Sequence, residues 1–297
     1  MSVARVLSRA QFGLDAPLVQ VEVHLSAGLP AFTIVGLPAP VVRESRERVR
    51  AALLNSGYEF PSRRITVNLA PVELSKQGGR FDLPIALGLL LASEQLRPRV
   101  PPEVECYGEL GLAGELKPVT GLFLAALHAG RAGHALIVPG ANAAEVGLSG
   151  HEAAYAASHL RAAAGAFGAG APLRNVPSLA AAGIAPPGMV SPALFHIAAI
   201  GAEQEAAAAA PMMSLADVIG QWQAKRALMV AAAGSHSMLM IGPPGSGKSM
   251  LAARLPGLLP PLSRAEALEV ASVVALSGAR LDARHWRQRP FRCPHHT

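Results

Sequence analysis

The sequence predicts an α/β protein in two folded parts, and three observations carry that prediction. Over residues 1–165, short runs of alternating apolar and polar side chains trade places with stretches of helical periodicity. From about residue 170 to 212 the composition shifts to Ala, Gly and Pro with no sustained period. Beyond that passage an apolar run, a glycine-rich turn ending Gly-Lys-Ser and a helical run follow one another directly.

Taken in order, LVQVEVHL (18–25) alternates with period two and reads as a strand, AFTIVG (31–36) as a short apolar strand, and RITVNLA (64–70) as another. Between the last two, VVRESRERVRAALLNSG (41–57) places Val42, Ser45, Val49, Ala52 and Leu53 on one helical face, with Glu44 four residues before Arg48, and Gly57 ends it. A helix at about 82–96, a strand over 104–112 (VECYGELGL), a helix at about 119–131, a strand ALIVP (135–139) and a helix ending near Ala166 complete this part. Mixed strand pairing is expected, because the strands are joined both by short turns and by helices. The passage from 170 to 212 reads as a linker with at most one short helix. The expected parts are therefore 1–169, a linker 170–212, and 213–297.

Composition excludes several classes. With 51% hydrophobic and 15% charged residues the chain is globular rather than disordered. The longest apolar run, Leu83 to Ala92, is far shorter than the roughly 20 residues of a membrane-spanning helix. The N-terminus, MSVARVLSRAQFGLDAP, has scattered arginines and no apolar core of a secretory signal, and two cysteines (Cys106 and Cys293) make no disulfide framework. A cytoplasmic protein without membrane partners is expected. Residues 213–297 hold 10 basic and 4 acidic side chains and the rest of the chain 16 of each, so the net charge of +6 arises wholly in the last part. Charge alone is weak support for nucleic acid, because a phosphate-binding part is basic in any case.

Gly242-Pro243-Pro244-Gly245-Ser246-Gly247-Lys248-Ser249 satisfies G-x-x-x-x-G-K-[ST] between an expected strand, SMLMI (237–241), and a helix beginning at Met250. Glycine lets the backbone curl so that successive N–H groups converge on phosphate oxygens. Lys248 is placed to reach the outer phosphates of ATP and the Ser249 hydroxyl to hold Mg²⁺. Pro243 and Pro244 offer no N–H and stiffen the start of the loop. Lys248 is one of four lysines in an arginine-rich chain, which makes its position here less accidental. Upstream, SLADVIGQWQAKRAL (214–228) reads as a turn followed by a helix with Ala224, Leu228 and Ala231 facing inward. It resembles the segment ahead of the phosphate loop in AAA+ ATPases, where the pair matching Val218 and Ile219 lies against adenine; plain burial is the rival reading of these two side chains.

SKQGGRFDLPIA (75–86) and GELGLAGELKPVTGLFLAALHAGRAG (108–133) resemble the proteolytic domain of Lon-type proteases. The resemblance implies an α+β N-terminal domain of the Lon proteolytic, ribosomal S5 domain 2-like type. The position of the Lon nucleophilic serine falls on Arg80 and that of its lysine within Phe123 to Ala125, so both members of the dyad are absent and no peptidase is expected. The order of parts is also the reverse of Lon. That order, with ITVNLAPVELSKQGGRFDLPIAL, GQWQAKRALMVAAAG, IGPPGSGKSMLAARLPGLLPPLS and RPFRCPHHT, resembles the magnesium-chelatase-like AAA+ family of ComM and YifB over all but the linker. The resemblance implies an ATP-driven, homo-hexameric motor acting on DNA, a helicase of branch migration in natural transformation and recombination.

Members of that family continue to an acidic Mg²⁺-binding strand, a sensor, an arginine finger and a helical lid. Residues 213–297 hold only Asp217, Glu266, Glu269 and Asp282 as acids, none closing an apolar strand after the loop. The chain is therefore read as an N-terminal portion that binds ATP, hydrolyses it poorly and contains no catalytic residue of its own. Two rival readings stand beside this one: a magnesium chelatase motor subunit, which lacks the Lon-like domain, and a partner-binding module whose ATPase part is vestigial.

Cys293, His295 and His296 are potential zinc ligands, yet three donors within four residues cannot wrap a tetrahedron. Arg292, His295 and His296 are candidate DNA or subunit contacts by the same resemblance. Arg43, Arg46, Arg48 and Arg50, with Arg63 and Arg64 near, are candidates for a nucleic-acid face, but Arg43, Arg46 and Arg50 share a helical side with Glu47 and read as a solvated stripe. Trp222 and Trp286 read as packing anchors.

Overall fold

The computed structural model describes residues 2–97, 103–168, 174–175, 213–277, 281 and 286–292. The chain divides into a sheet unit, Met1–Pro187 with Ser272–Leu281, and a loop unit, Gly188–Ala271 with Asp282–Thr297. Residues 176–212, most of the expected linker, lie outside the described residues, as do Cys293, His295, His296 and the side chain of Arg43.

In the sheet unit the elements run β1 (Ser2–Arg9), β2 (Leu18–Ser26), β3 (Ala31–Val35), α1 (Pro40–Arg43), α2 (Ser45–Asn55), β4 (Arg64–Ala70) and α3 (Asp82–Ala92). They continue with β5 (Val104–Cys106), β6 (Glu109–Leu110), β7 (Leu116–Lys117), α4 (Leu122–Ala132), β8 (Ala135–Pro139), α5 (Ala143–Ser149), β9 (Ala154–Ala157), α6 (Leu160–Gly168) and β10 (Arg174–Asn175). Eight strands form one mixed sheet in the order β10-β9-β8-β5-β1-β2-β4-β3, and β6 pairs with β7 apart from it. The expected α/β class and mixed pairing are both present: β1 pairs antiparallel with β2 and parallel with β5.

Alternation decides which face is covered. Val19, Val21, Val23 and Leu25 of β2 and Ile65, Val67 and Leu69 of β4 are buried in one core with α3, and the intervening residues are part-exposed. The α3 helix is buried on nearly all sides, which its unbroken apolar run requires. Gly88 lets it approach the sheet, since a Cβ there would stand 2.6 Å from a methyl of Val23. A second core, from Tyr107, Leu122, Ala125, Ala129, Leu136 and Val138, lies between α4 and the β5–β8 side.

The helix expected over 41–57 divides at Glu44 into α1 and α2, although Val42, Ser45, Val49, Ala52 and Leu53 are all buried as the periodicity requires. Arg48 feels the charge of Glu44, as its spacing suggests, but its closer partner is Asp82. Its Nε and Nη2 donate to the two oxygens of buried Asp82 at 2.7 and 3.1 Å, a bidentate pair formed across 34 residues. The strand expected over 104–112 is also two pieces: the Gly108 N–H turns to the Arg80 carbonyl and its own carbonyl accepts from Leu83, which ends β5 before β6 begins. Central β1 was not foreseen, and neither were β9 and β10, the last inside the expected linker.

The loop unit holds α7 (Trp222–Gly234), α8 (Lys248–Ala252) and the first turns of α9 (Arg264–Leu276), with 3-10 turns at Leu215–Asp217 and Leu255–Leu258. Ser263 and Glu266 cap the start of α9 reciprocally, the Ser263 N–H donating to the Glu266 carboxylate at 2.8 Å and the Glu266 N–H to Ser263 Oγ at 3.3 Å. Val218, Leu228, Ala231, Leu251 and Leu262 are its main buried apolar groups. The expected strand 237–241 does not form. A strand needs a neighbour to take its backbone hydrogen bonds, and among the described residues this run has none, leaving Leu239 and Ile241 84% and 88% exposed.

Candidate nucleotide-binding site

The loop from Gly242 to Ser249 leads directly into α8. Gly245 and Gly247 have φ of +79° and +84°, values that side-chain-bearing residues adopt only with strain, so glycine at these two positions shapes the curl. Lys248 turns back into the loop: its Nζ donates to the carbonyls of Gly242 and Pro243 at 2.8 Å each and to Ser246 Oγ at 3.2 Å. The ammonium therefore sits among oxygen atoms of the curl. Ser249 and Met250 are exposed on the first turn of α8, which Leu251 anchors at 3% exposure.

The preceding segment is built against this loop. Ser214 caps its 3-10 turn, accepting from the Ala216 N–H while its own N–H donates to Asp217. Val218 is buried and Ile219 is 96% exposed, so the two face opposite ways and only Ile219 is available on the surface. Gly220 and Gln221 then take left-handed φ of +70° and +57° to start α7. Two side chains missed in the sequence close the arrangement: Gln221 Nε2 donates to the Ser246 carbonyl at 3.2 Å, and Arg254 Nε donates to the Ser214 carbonyl at 2.9 Å while its Nη1 donates to that of Met250 at 2.8 Å. Their only sequence signal is a glutamine following glycine at a helix start and an arginine one turn beyond the loop. Leu228 and Ala231 face inward as expected and Ala224 is part-buried, but Trp222 is no packing anchor: it is 78% exposed with the Lys225 ammonium 5.1 Å from its ring centroid.

Two acids of this unit are engaged. Asp217 belongs to the Ser214 cap, and Glu266 bonds Ser263 and lies 3.7 Å from Arg289. Arg292 is exposed. A hollow of about 520 Å³, lined by Gln223, Arg226, Val230, His236 and Met238, opens to solvent beside α7, and none of its lining belongs to the phosphate loop. Among the described residues no three or more His, Cys, Asp or Glu side chains are grouped so as to hold a metal ion.

In the sheet unit, Arg80 is the residue that the Lon resemblance set against a serine. It is 5% exposed and donates to the Thr120 carbonyl at 2.7 Å, and burial pushes its guanidinium below the ordinary arginine value. Phe123, Leu124 and Ala125 are buried apolar groups. Beside them, fully buried Glu105 accepts from Arg9 at 2.7 Å and from Tyr107 Oη at 2.5 Å, and lies 2.7 Å from His134 Nδ1. Among the described residues no helix is long and apolar enough to cross a membrane.

Residues 21–142 match the family described as subunit ChlI of Mg-chelatase, and residues 214–297 the one described as magnesium chelatase, subunit ChlI. Across 297 residues, all of this chain, it is 47% identical to an uncharacterised protein YifB of Salmonella typhimurium and 48% identical to YifB of Escherichia coli. It is 44% identical over the same span to competence protein ComM of Haemophilus influenzae. In each case the match covers 54% of the relative, so the chain spans about half the length of the curated relatives it matches.

Proposed function

This chain belongs to the magnesium-chelatase-like family of ComM and YifB, and from that premise we propose that it is the ATP-binding part of an AAA+ motor that works on DNA. The observation that carries the reading is the Gly242–Ser249 curl with the Lys248 ammonium held among its own oxygens. In the proposed complex Lys248 exchanges those oxygens for phosphate oxygens, the loop N–H groups hold the remaining ones, and the Ser249 hydroxyl, already exposed at the head of α8, holds Mg²⁺. The residues present fit both groups, since a cationic donor and an accessible hydroxyl stand side by side on the curl. Ile219 is the proposed contact for adenine, with Val218 fixing its segment in the core.

The DNA substrate, a hexameric ring and a Lon-like fold for residues 1–169 are all taken from the family resemblance, and the name of the competence relative agrees with the first. Lys248→Ala is expected to lower affinity for a fluorescent Mg–ATP analogue at least a hundredfold in a direct titration. Unchanged affinity would remove the nucleotide reading. Because none of the four acids of residues 213–297 closes an apolar strand after the loop, slow or absent turnover is expected of this chain; rapid hydrolysis abolished by Lys248→Ala contradicts that.

A second reading, a motor that drives Mg²⁺ insertion into a tetrapyrrole, is favoured by the descriptions of the two matching families. The ComM and YifB relatives match the chain from end to end, which favours the reading that the family resemblance gives. Binding to forked DNA that rises with ATP supports the first reading, and its absence together with porphyrin binding supports the second.

A further inference from the structure

We propose that Gln221, seconded by Arg254, is a positioning residue that clasps the segment Ser214–Gln221 to the phosphate loop, so that filling the loop is transmitted to α7. The inference rests on the nucleotide site proposed above and adds to it a mechanical link between its two sides.

Three observations carry it. First, Gln221 stands at φ +57°, a left-handed backbone that costs a side-chain-bearing residue and costs glycine nothing. The side chain held in this strained position makes a bond that glycine could not: Nε2 donates to the Ser246 carbonyl at 3.2 Å. Second, Ser246 is also gripped by the cation of the motif, because Lys248 Nζ donates to its hydroxyl at 3.2 Å. A phosphate that draws Lys248 away from Ser246 Oγ frees the same residue whose carbonyl Gln221 holds, and the displacement passes to residue 221. Third, the far end of the segment is tied as well, since Arg254 joins the Ser214 carbonyl to that of Met250 on α8. Both ends of the stretch that carries Val218 and Ile219 are thus fastened to the loop and its helix by side chains bonding backbone oxygens. Residue 221 is followed by Trp222, 78% exposed at the first position of α7, which makes the transmission observable.

The test uses the whole 297-residue chain with Trp286→Phe, leaving Trp222 as its one tryptophan. Mg–ATP is expected to change Trp222 emission, and Mg–tripolyphosphate to bind without needing the 214–221 side. Gln221→Gly is the informative variant because it relieves the left-handed strain while removing the amide. It should leave the thermal midpoint unchanged or raise it, weaken Mg–ATP roughly fivefold to tenfold as the loss of one hydrogen bond does, leave tripolyphosphate affinity unchanged, and abolish the emission change at saturating Mg–ATP. Arg254→Ala should weaken Mg–ATP in the same direction.

The clasp is overturned if Gln221→Gly binds Mg–ATP as the parent does, if the emission change persists, or if tripolyphosphate affinity falls in the same proportion, which would make Gln221 a support of the loop alone. A parent chain that binds Mg–ATP with a silent Trp222 also overturns the transmission. A parent that binds no Mg–ATP removes the site itself before any Gln221 variant is read.

Discussion

Leu87 and Leu239 are both leucines in apolar runs, yet the first is fully buried in α3 and the second is 84% exposed in the loop unit. The difference extends to the units around them. In the sheet unit apolar side chains from β1, β2, β4, α2 and α3 converge in one core, and the buried carboxylates of Glu105 and Asp82 are met by Arg9 and Arg48. In the loop unit a few buried groups support a surface that leaves Ile219, Trp222, Leu239 and Ile241 outside. Stability and chemistry are therefore separated along the chain: the sheet unit is held by packing, and the loop unit offers polar backbone and a cation for a ligand to engage.

The severest way to break this contrast is Glu105→Ala. It strips the buried Arg9 guanidinium of its carboxylate, and a loss of about 3–5 kcal/mol is expected in urea denaturation followed by circular dichroism. Leu87→Ala opens a cavity in a fully packed core and is expected to cost about 2–5 kcal/mol in the same measurement. A subtler effect is pH dependence at His151, where burial holds the imidazole below the ordinary histidine value and Nε2 is buried without a hydrogen-bond partner. As pH falls, the unfolded chain takes up the proton first, so stability is full above about 6.5 and declines as pH drops through the lower folded value. His151→Phe should flatten that decline, and an unchanged slope between pH 7 and 5 would assign it to other groups. The smallest effect sharpens the comparison directly: Leu239→Ala should change stability by no more than about 0.5 kcal/mol, and a loss as large as that of Leu87→Ala would show that the exposed run packs in solution.

Much of the sheet unit was legible because β2, β4 and β8 carry their signal locally, in side chains that alternate or run apolar. Strand β1 hid itself because SVARVLSR ends on Arg9, a charge that looks exposed until Glu105, 96 residues away, neutralises it. The division of 104–112 depended on backbone bonds to Arg80 and Leu83, which no local pattern announces. The failure at 237–241 is the converse, a strand-like run whose pairing partner is not among the described residues. In the candidate site, glycines and Lys248 were readable because the loop's geometry is set by residue type at fixed spacing. Gln221 and Arg254 were not, because each acts on a backbone oxygen, and any residue supplies one.

The three oxygens around Lys248 have a thermochemical consequence. Phosphate does not meet a bare ammonium but displaces bonds already made, so the heat released by that contact is a difference between similar quantities. Calorimetric titration of this chain should therefore give a modest enthalpy for Mg–tripolyphosphate, with the affinity arising mainly from the water and counterions released.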